Sequence, residues 1–263
     1  MGKGDLELSI GESQAYQLRM LKIVTEVCES NNIPYLLHSG NMLGAVRHGG
    51  MIPWCTDTDI LVPEHMMDKF FEHAKEALAP DFWIDYHKVD KKSNREFARI
   101  GITGYDTRIC HLDVFRLVGL PDDPKDREKM YKEARSIYRL LSIKRKNRRH
   151  STRSTLVLYA CKPFAFFVPY KYLLKRFDEL CNRYPYEKST YAGYLSSRNG
   201  IKSTLRREEF DDYVVVKYDG LDVRINRNYH DYLTQLYGDY MKMPPEQERE
   251  KIINRTYTVR RRR

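Results

Sequence analysis

The sequence predicts an α+β fold in which a mixed sheet is flanked by helices and interrupted by a basic helical insertion. Three observations support this prediction: amphipathic helical segments alternate with short apolar segments, a long stretch lacks acidic residues, and a hairpin pattern and a helix follow that stretch. With 263 residues, the chain is long enough for one domain with an elaboration. Its 41% hydrophobic and 31% charged residues indicate a globular rather than a disordered protein.

Helices and strands alternate through the first half of the chain. Residues 12–30 carry apolar side chains at helical spacing and predict an amphipathic helix, and residues 33–40 predict a short strand running into a glycine turn. Residues 41–50 predict a short helix or a glycine-rich loop. The other predicted elements of this half are a helix at 64–80 and strands at 58–62, 82–89, 97–104 and 109–120.

The second half begins with a basic segment and ends with a hairpin and a helix. Residues 212–225 predict the hairpin, and residues 228–240 predict the helix, whose tyrosines and leucines at spacings of three and four indicate a core position. Gly238 is a natural helix terminator. The arginine tail, residues 260–263, is expected to fray.

The positive charge is concentrated in residues 134–177, which we call the basic segment. It holds twelve Lys and Arg and no Asp or Glu, whereas the whole chain has a net charge of +10. The rest of the chain is therefore close to neutral, which favours a localised anionic partner over nucleic acid bound across the whole surface. The segment is either a solvated helix face followed by a core helix or a contact for the anionic inner leaflet of a membrane. Its apolar stretch, residues 155–170, is too short and broken to span a bilayer.

Cysteine usage and the N-terminus favour a cytoplasmic protein. The five cysteines are widely spread without a CxxC pair, so a zinc site or a disulfide framework is not expected. The first residues contain no apolar segment typical of a secretory signal. If the basic segment binds lipid, a peripheral position on the inner face of the membrane is expected.

Asp57 and Asp59 form a pair that points to one face of a predicted strand. Residues i and i+2 of a strand lie about 6.6 Å apart on the same face, so two such carboxylates can converge on one Mg²⁺. Asp113 lies in the middle of another predicted strand, where an acid is expected to be paired, metal-bound or functional. Alone, a DxD pair is weak evidence, because surface turns produce many, and Asp113 alone could be a paired structural acid.

Ser39 and Gly40 form a turn directly after a predicted strand. The backbone N–H groups of such turns can approach phosphate oxygens, and Arg47 and His48 could meet the phosphate charge. Each of these features alone could be structural, but their order with the acids is informative. A strand, a Ser-Gly turn, a two-Asp strand and a later Asp strand resemble the nucleotidyltransferase superfold of the DNA polymerase β type.

The stretch GNMLGAVRHGGMIPWCTDTDI resembles the signature of the LicD family of phosphotransferases, which is related to fukutin and the fukutin-related protein. The residues that match this pattern are Gly40, Leu43, Gly44, Ala45, Arg47, His48, Gly50, Ile52, Pro53, Trp54, Asp57, Asp59 and Ile60. CHLDVFRLVGL is similar to the third-acid strand of the family at Asp113, and residues 210–250 are similar to its closing region. Cys55 and Thr56 replace two acids that the family usually carries before the metal-binding pair.

The resemblance implies a nucleotidyltransferase-like fold and a division of the chain. Residues 1–125 would form the catalytic core, residues 126–190 a basic and aromatic helical insertion, and residues 191–263 the remainder of the same domain. It also implies metal-dependent transfer of a phospho-alcohol, phosphocholine first, from a CDP-activated donor to a hydroxyl of a cell-surface glycan or its lipid-linked precursor, with release of CMP.

The same resemblance implies roles for individual residues. Asp57 and Asp59 would hold Mg²⁺, with Mn²⁺ as an alternative, and Asp113 would complete the metal shell or accept the proton of the attacking hydroxyl. The expected substrate-binding residues are Ser39, Gly40, Asn41, Arg47, His48 and Trp54. The Trp54 ring could face a quaternary ammonium or could equally belong to the core.

Two other functions remain open from the sequence. One is a true nucleotidyltransferase that releases pyrophosphate. The other is a non-catalytic nucleic-acid-binding module that uses the basic segment. No RNP, KH or zinc-knuckle pattern supports the second, and unneutralised acids would repel nucleic-acid phosphates, so no nucleic-acid partner is expected.

Overall fold

A mixed sheet of seven strands forms the centre of the described structure. The structure is a computed structural model that describes residues 4–145 and 167–262. The strands are β1 (Leu6–Leu8), β2 (Leu36–Leu37), β3 (Thr58–Pro63), β4 (Phe82–Asp85), β5 (Ala98–Ile102), β6 (His111–Leu120), β7 (Tyr191–Gly193), β8 (Leu205–Arg206), β9 (Tyr213–Tyr218), β10 (Leu221–Asn226) and β11 (Tyr257–Val259). The helices are α1 (Ile10–Ser30), α2 (Ser39–His48), α3 (Met67–Leu78), α4 (Pro124–Arg145), α5 (Tyr170–Cys181), α6 (Arg207–Asp211), α7 (Tyr229–Tyr237) and α8 (Glu246–Ile253).

The strand order of the sheet confirms the predicted mixed topology. The central path runs β2, β3, β6, β5, β4, and β7 and β8 extend it from the later part of β6. Only β3 and β6 pair in parallel, and the other described pairs of this sheet are antiparallel. Helices α1 and α3 pack together beside the sheet. The mixed sheet flanked by helices thus agrees with the α+β class.

Helix α1 starts two residues earlier than its apolar spacing predicts because Ser9 caps it. The Ser9 hydroxyl accepts a hydrogen bond from the Glu12 backbone N–H at 3.2 Å, and Glu12 Oε2 accepts one from the Ser9 backbone N–H at 2.8 Å. This reciprocal pair satisfies two backbone donors that would otherwise be orphaned at the helix start.

Three expectations about local structure are wrong. The strand expected over 33–40 contains only Leu36–Leu37, and the Ser39-Gly40 turn is instead the first turn of α2. The strand expected over 82–89 ends at Asp85. The C-terminal tail does not fray up to Arg262: β11 pairs with β1, Arg262 donates a backbone hydrogen bond to Gly104 at 2.7 Å, and its guanidinium lies 3.9 Å from the Trp83 ring centre. The pairing of β11 with β1 and the stacking of the Arg262 guanidinium on Trp83 hold the tail in place. The local composition of the sequence reveals neither of these contacts.

The described parts of residues 126–190 are largely helical and form a second apolar core. Helices α4 and α5 pack on each other and on the end of β6 through Val118 and Leu120. Residues 146–166, with nearly half of the basic segment and Cys161, lie outside the described residues, so the membrane-contact prediction is not tested there. The four described cysteines carry free thiols. Within the described ranges, no helix is long and apolar enough to cross a membrane.

Two glycines of the quoted motif allow close approach between α2 and the loop that follows it. A Cβ on Gly44 would lie 2.5 Å from the Gly50 carbonyl oxygen, and one on Gly50 would lie 2.2 Å from the Asp219 carboxylate. Asp219 is at the tip of the β9–β10 hairpin and accepts a hydrogen bond from the Met51 backbone N–H at 2.7 Å. The hairpin therefore docks on the loop that leads to the two-Asp strand.

Replacing Gly44 with alanine is expected to destabilise the protein although alanine favours helices. The added Cβ meets backbone that cannot turn away, so we expect a loss of about 1–3 kcal/mol in the free energy of unfolding. Gly11→Ala is the matched control, because Gly11 is also helical and its Cβ would meet nothing within 4 Å. That control should be neutral or gain up to about 1 kcal/mol. Urea unfolding of both variants measures the difference, and equal stability of the two would contradict the close-approach explanation.

Candidate active site

The predicted third acid lies directly beside the second one. Strands β3 and β6 pair in parallel with Asp59 opposite Asp113, and continuing that register by one residue places Asp57 opposite His111. Paired Cα atoms on adjacent strands are about 4.8 Å apart, so these side chains share one face of the sheet. Asp57 and Asp59 are half-buried, whereas Asp113 is only 3% exposed. The structure thus places the three acids that the sequence selected at adjacent positions on one face of the sheet.

The same face carries charged residues across two further strands. Arg99 on β5 is opposite Asp113, and Asp85 on β4 is opposite Arg99. Arg99 Nε and Nη2 donate to the two Asp113 oxygens at 2.6 and 2.9 Å, and its Nη1 donates to the Thr107 carbonyl at 3.1 Å. A bidentate guanidinium–carboxylate pair of this kind is a strong, geometrically defined interaction. Sequence analysis did not select Arg99, because the alternation of a single strand does not reveal which residues of its neighbours it meets.

Side chains from two helices hold the segment that carries Asp57 and Asp59. Gln14 of α1 donates to the carbonyls of Ile52 and Cys55 at 3.0 Å each. Asn41 of α2 accepts from the Asp59 backbone N–H at 2.7 Å and donates to the Asp57 carbonyl at 3.2 Å. Asn41 is 1% exposed and also donates to the Tyr218 hydroxyl, so its amide is occupied in positioning the backbone.

Ser39 and Gly40 lie at the N-terminus of α2, close to the acids. The His38 backbone N–H donates to the Asp59 carbonyl at 3.0 Å, which joins the start of α2 to β3. Ser39 has a φ of +51°, an unusual backbone conformation for a residue with a side chain. The first N–H groups of a helix have no partner within it and favour anions. The segment that was expected to be a turn is therefore a helix start, and its phosphate-binding role stays a prediction.

The other three predicted substrate-binding residues lie further along α2 or beside it. Arg47 and His48 are in the last turn, about 12 Å from Ser39 at 1.5 Å per residue. Arg47 donates to the Tyr240 carbonyl at 2.8 Å, so its guanidinium tethers the C-terminal region. The Trp54 ring has the guanidinium carbons of Arg47 and Arg249 at 6.0 and 5.3 Å from its centre. A ligand cation on this ring would have to compete with these two arginines, and the roles of the three residues stay predictions.

Burial and repulsion shape the electrostatics of the acids. Burial raises the pKa of Asp59, and the negative charges of Asp57 and Asp113 raise it further. Burial also raises the pKa of Asp113, although Arg99 opposes this effect. No described side chain donates a hydrogen bond to the Asp59 carboxylate, which meets the Arg99 and Arg198 cations only at longer range. The site is therefore short of positive charge.

His111 and Arg198 are site residues that sequence analysis missed. His111 is 6% exposed, its Nε2 is 3.7 Å from Asp113 Oδ2, and neither ring nitrogen has a hydrogen-bond partner among the described residues. Burial lowers the pKa of His111, and Arg99 adds to that effect. Arg198 is an exposed residue of the loop after β7 whose charge acts on Asp59. The HLD spacing could have indicated His111, since it shares the strand face of Asp113.

One tyrosine of α7 does not have the core position that the sequence predicts. Leu233 and Leu236 of α7 are buried as predicted, but Tyr237 is 43% exposed. Burial of its phenol raises the pKa of Tyr237 to about 12, and the charge of Asp59 contributes to the increase. The helix also ends at Tyr237 rather than at Tyr240, with Gly238 in the left-handed region at a φ of +71°.

Cys55 occupies the rim of the site where the resemblance implies an acid. Its Sγ donates to the Asp57 carbonyl at 3.2 Å and lies 3.7 Å from Asp57 Oδ1. Burial and, to a smaller extent, the charge of Asp57 together raise the pKa of Cys55 to about 12. The thiol therefore stays protonated and adds no negative charge beside the aspartates.

The carboxylate oxygens of the site fit a hard divalent cation whose remaining ligands would come from substrate and water. In the described ranges, no three His, Cys, Asp or Glu side chains stand as a ready-made metal cluster. Mg²⁺ is commonly held by one or two carboxylates together with water and substrate phosphates rather than by a protein cage. The Asp59 carboxylate, lacking a described donor, with Asp57 one step away on the same face, meets that requirement.

Comparisons with known proteins give a family match and similar full-length and partial relatives. The family described as "LicD/FKTN/FKRP, nucleotidyltransferase domain" matches residues 32–145, which include all three acids. The chain is 28% identical over 256 residues to a protein of Haemophilus influenzae named lipopolysaccharide cholinephosphotransferase LicD, covering 93% of this chain and 96% of that protein. A protein of Rickettsia typhi without an assigned function is 46% identical over 52 residues, 19% of this chain and 17% of that protein. Residues 32–145 are therefore similar to the nucleotidyltransferase domain of the LicD family, and the chain is similar along nearly its whole length to one named member of it.

Proposed function

We propose that this protein transfers phosphocholine from CDP-choline to a hydroxyl of a cell-surface glycan or its lipid-linked precursor and releases CMP. The observation that carries the proposal is the pairing of Asp59 with Asp113 on adjacent parallel strands, with Asp57 one step away and the start of α2 alongside. The similarity to a lipopolysaccharide cholinephosphotransferase along nearly the whole chain supports choline as the alcohol. We also assign the sheet to the nucleotidyltransferase superfold of the DNA polymerase β type.

The residues would divide the work of binding the donor. Asp57 and Asp59 would hold Mg²⁺ or Mn²⁺, which when bound supplies positive charge to the diphosphate and to the CMP leaving group. The free N–H groups of Ser39 and Gly40 would orient phosphate oxygens. Asp113 stays beside Asp59 in either role that the sequence suggests, as a ligand or as the acceptor of the hydroxyl proton.

The proposed reaction also places the protein at a membrane surface. A lipid-linked acceptor would lie at the inner leaflet, and the basic segment has the charge to bind anionic lipid there. Binding to vesicles of anionic lipid at low salt, lost at high salt, would support this contact.

The decisive experiment is incubation of the full chain with CDP-choline, CDP-ribitol or CDP-glycerol, each with Mg²⁺, with Mn²⁺ or with EDTA. We expect CMP from CDP-choline, promoted by an acceptor glycan and abolished by EDTA. Release of pyrophosphate from a nucleoside triphosphate would instead favour a nucleotidyltransferase. Absence of CMP with all three donors and an acceptor glycan, at metal concentrations that saturate the protein, would contradict the proposed function.

A further inference from the structure

Arg99 holds the Asp113 carboxylate, which would have to be accessible for Asp113 to act as a metal ligand or as a proton acceptor. Its bidentate pair with Asp113 uses both carboxylate oxygens, at 2.6 and 2.9 Å, and a third bond to the Thr107 carbonyl fixes the guanidinium. Gly101, two residues along β5, leaves the space for Thr107, because a Cβ there would lie 2.7 Å from Thr107 Cγ2. The strand is thus arranged around this pair.

The charge of Arg99 acts on the three acids, because the acid beside it on the next strand, Asp85, already has other partners. Asp85, its neighbour on β4, is already bound by Arg95 at 2.6 Å and by the Thr107 hydroxyl at 2.7 Å. Burial alone would lower the pKa of Arg99, but the charges of Asp113, Asp57 and Asp59 raise it. Among the described cations only Arg99 is hydrogen-bonded to any of the three carboxylates, while Arg95 and Arg198 act on them at longer range, so an excess of negative charge remains that suits a divalent cation.

We propose that Arg99 and a divalent cation compete for the Asp113 carboxylate, so that cation binding releases the Arg99 guanidinium to the diphosphate of the donor. This inference rests on the metal-binding part of the proposed function. Competition arises because the guanidinium fork already holds the two oxygens that a cation beside Asp59 would draw on.

The released guanidinium needs a new acceptor, which the donor can supply. Once Asp113 turns away, Nε and Nη2 of Arg99 become largely buried donors without a partner, which is unfavourable. The Arg99 side chain is 18% exposed, so an anion at the acids can reach it. A diphosphate oxygen pair matches the planar fork as the carboxylate does. The exchange would therefore couple cation binding to donor binding.

The test measures Mn²⁺ affinity by electron paramagnetic resonance in the absence of donor. We compare the wild type with Arg99→Gln, which removes the charge, and Arg99→Lys, which keeps the charge but loses the fork. We expect about tenfold tighter binding in R99Q and about threefold in R99K. Arg198→Gln is the control for long-range charge, since Arg198 also acts on Asp59 from another loop.

A second measurement uses the wild type and needs no variant to be active. The Arg99 Nε–H resonance is assigned by its absence from the ¹⁵N spectrum of R99K, and Mg²⁺ is then added. We expect that resonance to shift, and CDP-choline to bind about tenfold more weakly to R99Q than to the wild type in the presence of Mn²⁺.

The outcomes separate this inference from the proposed function. Wild-type Mn²⁺ affinity in R99K, an effect of R99Q no larger than that of R198Q, or an Nε–H resonance that Mg²⁺ leaves in place would each overturn the exchange, even if CMP release continues. No CMP from a protein with bound Mn²⁺ would contradict the proposed function instead. If R99Q does not fold by circular dichroism, R99K and the wild-type spectrum decide.

Discussion

Asp59→Asn is expected to reduce turnover of CDP-choline by about a thousandfold or more while making the metal-free protein more stable. The carboxylate is proposed to hold the charge that neutralises the diphosphate, and losing such an electrostatic element costs orders of magnitude in rate. Asparagine has nearly the same shape but removes a negative charge that burial, Asp57 and Asp113 all disfavour. Turnover is measured by CMP release, and stability by thermal unfolding in EDTA.

The pH dependence of this stabilisation has a definite sign. Because the pKa of Asp59 is raised in the folded protein, the folded state binds this proton more tightly than the unfolded chain does. The wild type therefore bears the full penalty above the folded pKa, and the penalty disappears as the pH falls to about 3.9, the ordinary value for aspartate. The stability of Asp59→Asn should therefore exceed that of the wild type most at neutral pH, and the difference should disappear in acid.

Adding Mg²⁺ with CDP-choline reverses the order, since only the wild type would gain stability from binding. Asp81→Asn is the control for loss of one surface carboxylate, because Asp81 is exposed and pairs with Arg19 away from the acids. Activity within tenfold of the wild type in Asp59→Asn would remove the site assignment.

Arg116→Met is expected to cost about 3–5 kcal/mol of stability, the largest loss for a residue outside the candidate active site. Arg116 is 3% exposed and donates to both Glu64 oxygens at 2.5 and 2.7 Å and to Asp178 at 2.5 Å. Its removal leaves the carboxylates of Glu64 and Asp178, 9% and 25% exposed, without the guanidinium that they share. Since Asp178 is on α5, the same change loosens the second core from the sheet. Urea unfolding measures the loss.

Neutralising Glu64 and Asp178 distinguishes the cost of unpaired buried charge from the cost of lost packing. Adding Glu64→Gln and Asp178→Asn to Arg116→Met should recover part of the stability, because no unpaired charge then remains buried. Arg227→Met is the matched exposed control; its pair with Asp212 is more than half exposed, so its loss should be within about 1 kcal/mol. A stability of Arg116→Met close to that control would show that the network contributes little.

The local pattern of the sequence was sufficient for most of the longer elements and for the choice of acids. Alternation and helical spacing depend on neighbouring residues alone, so β3, β6, α3 and the β9–β10 hairpin were predicted close to their observed positions. The acids Asp57, Asp59 and Asp113 could be selected because charged residues within apolar strands need an explanation.

The register between strands was decided by the tertiary structure alone. The parallel pairing of β3 with β6 places Asp113 beside Asp59, and the antiparallel pairing of β5 with β6 places Arg99 on Asp113. Neither offset is written in a single strand, because a slip of two residues would preserve the same buried face. The sequence by itself determined which side chains carry charge on that face. Only the packed sheet decided which of them meet, and therefore that a guanidinium holds the third acid.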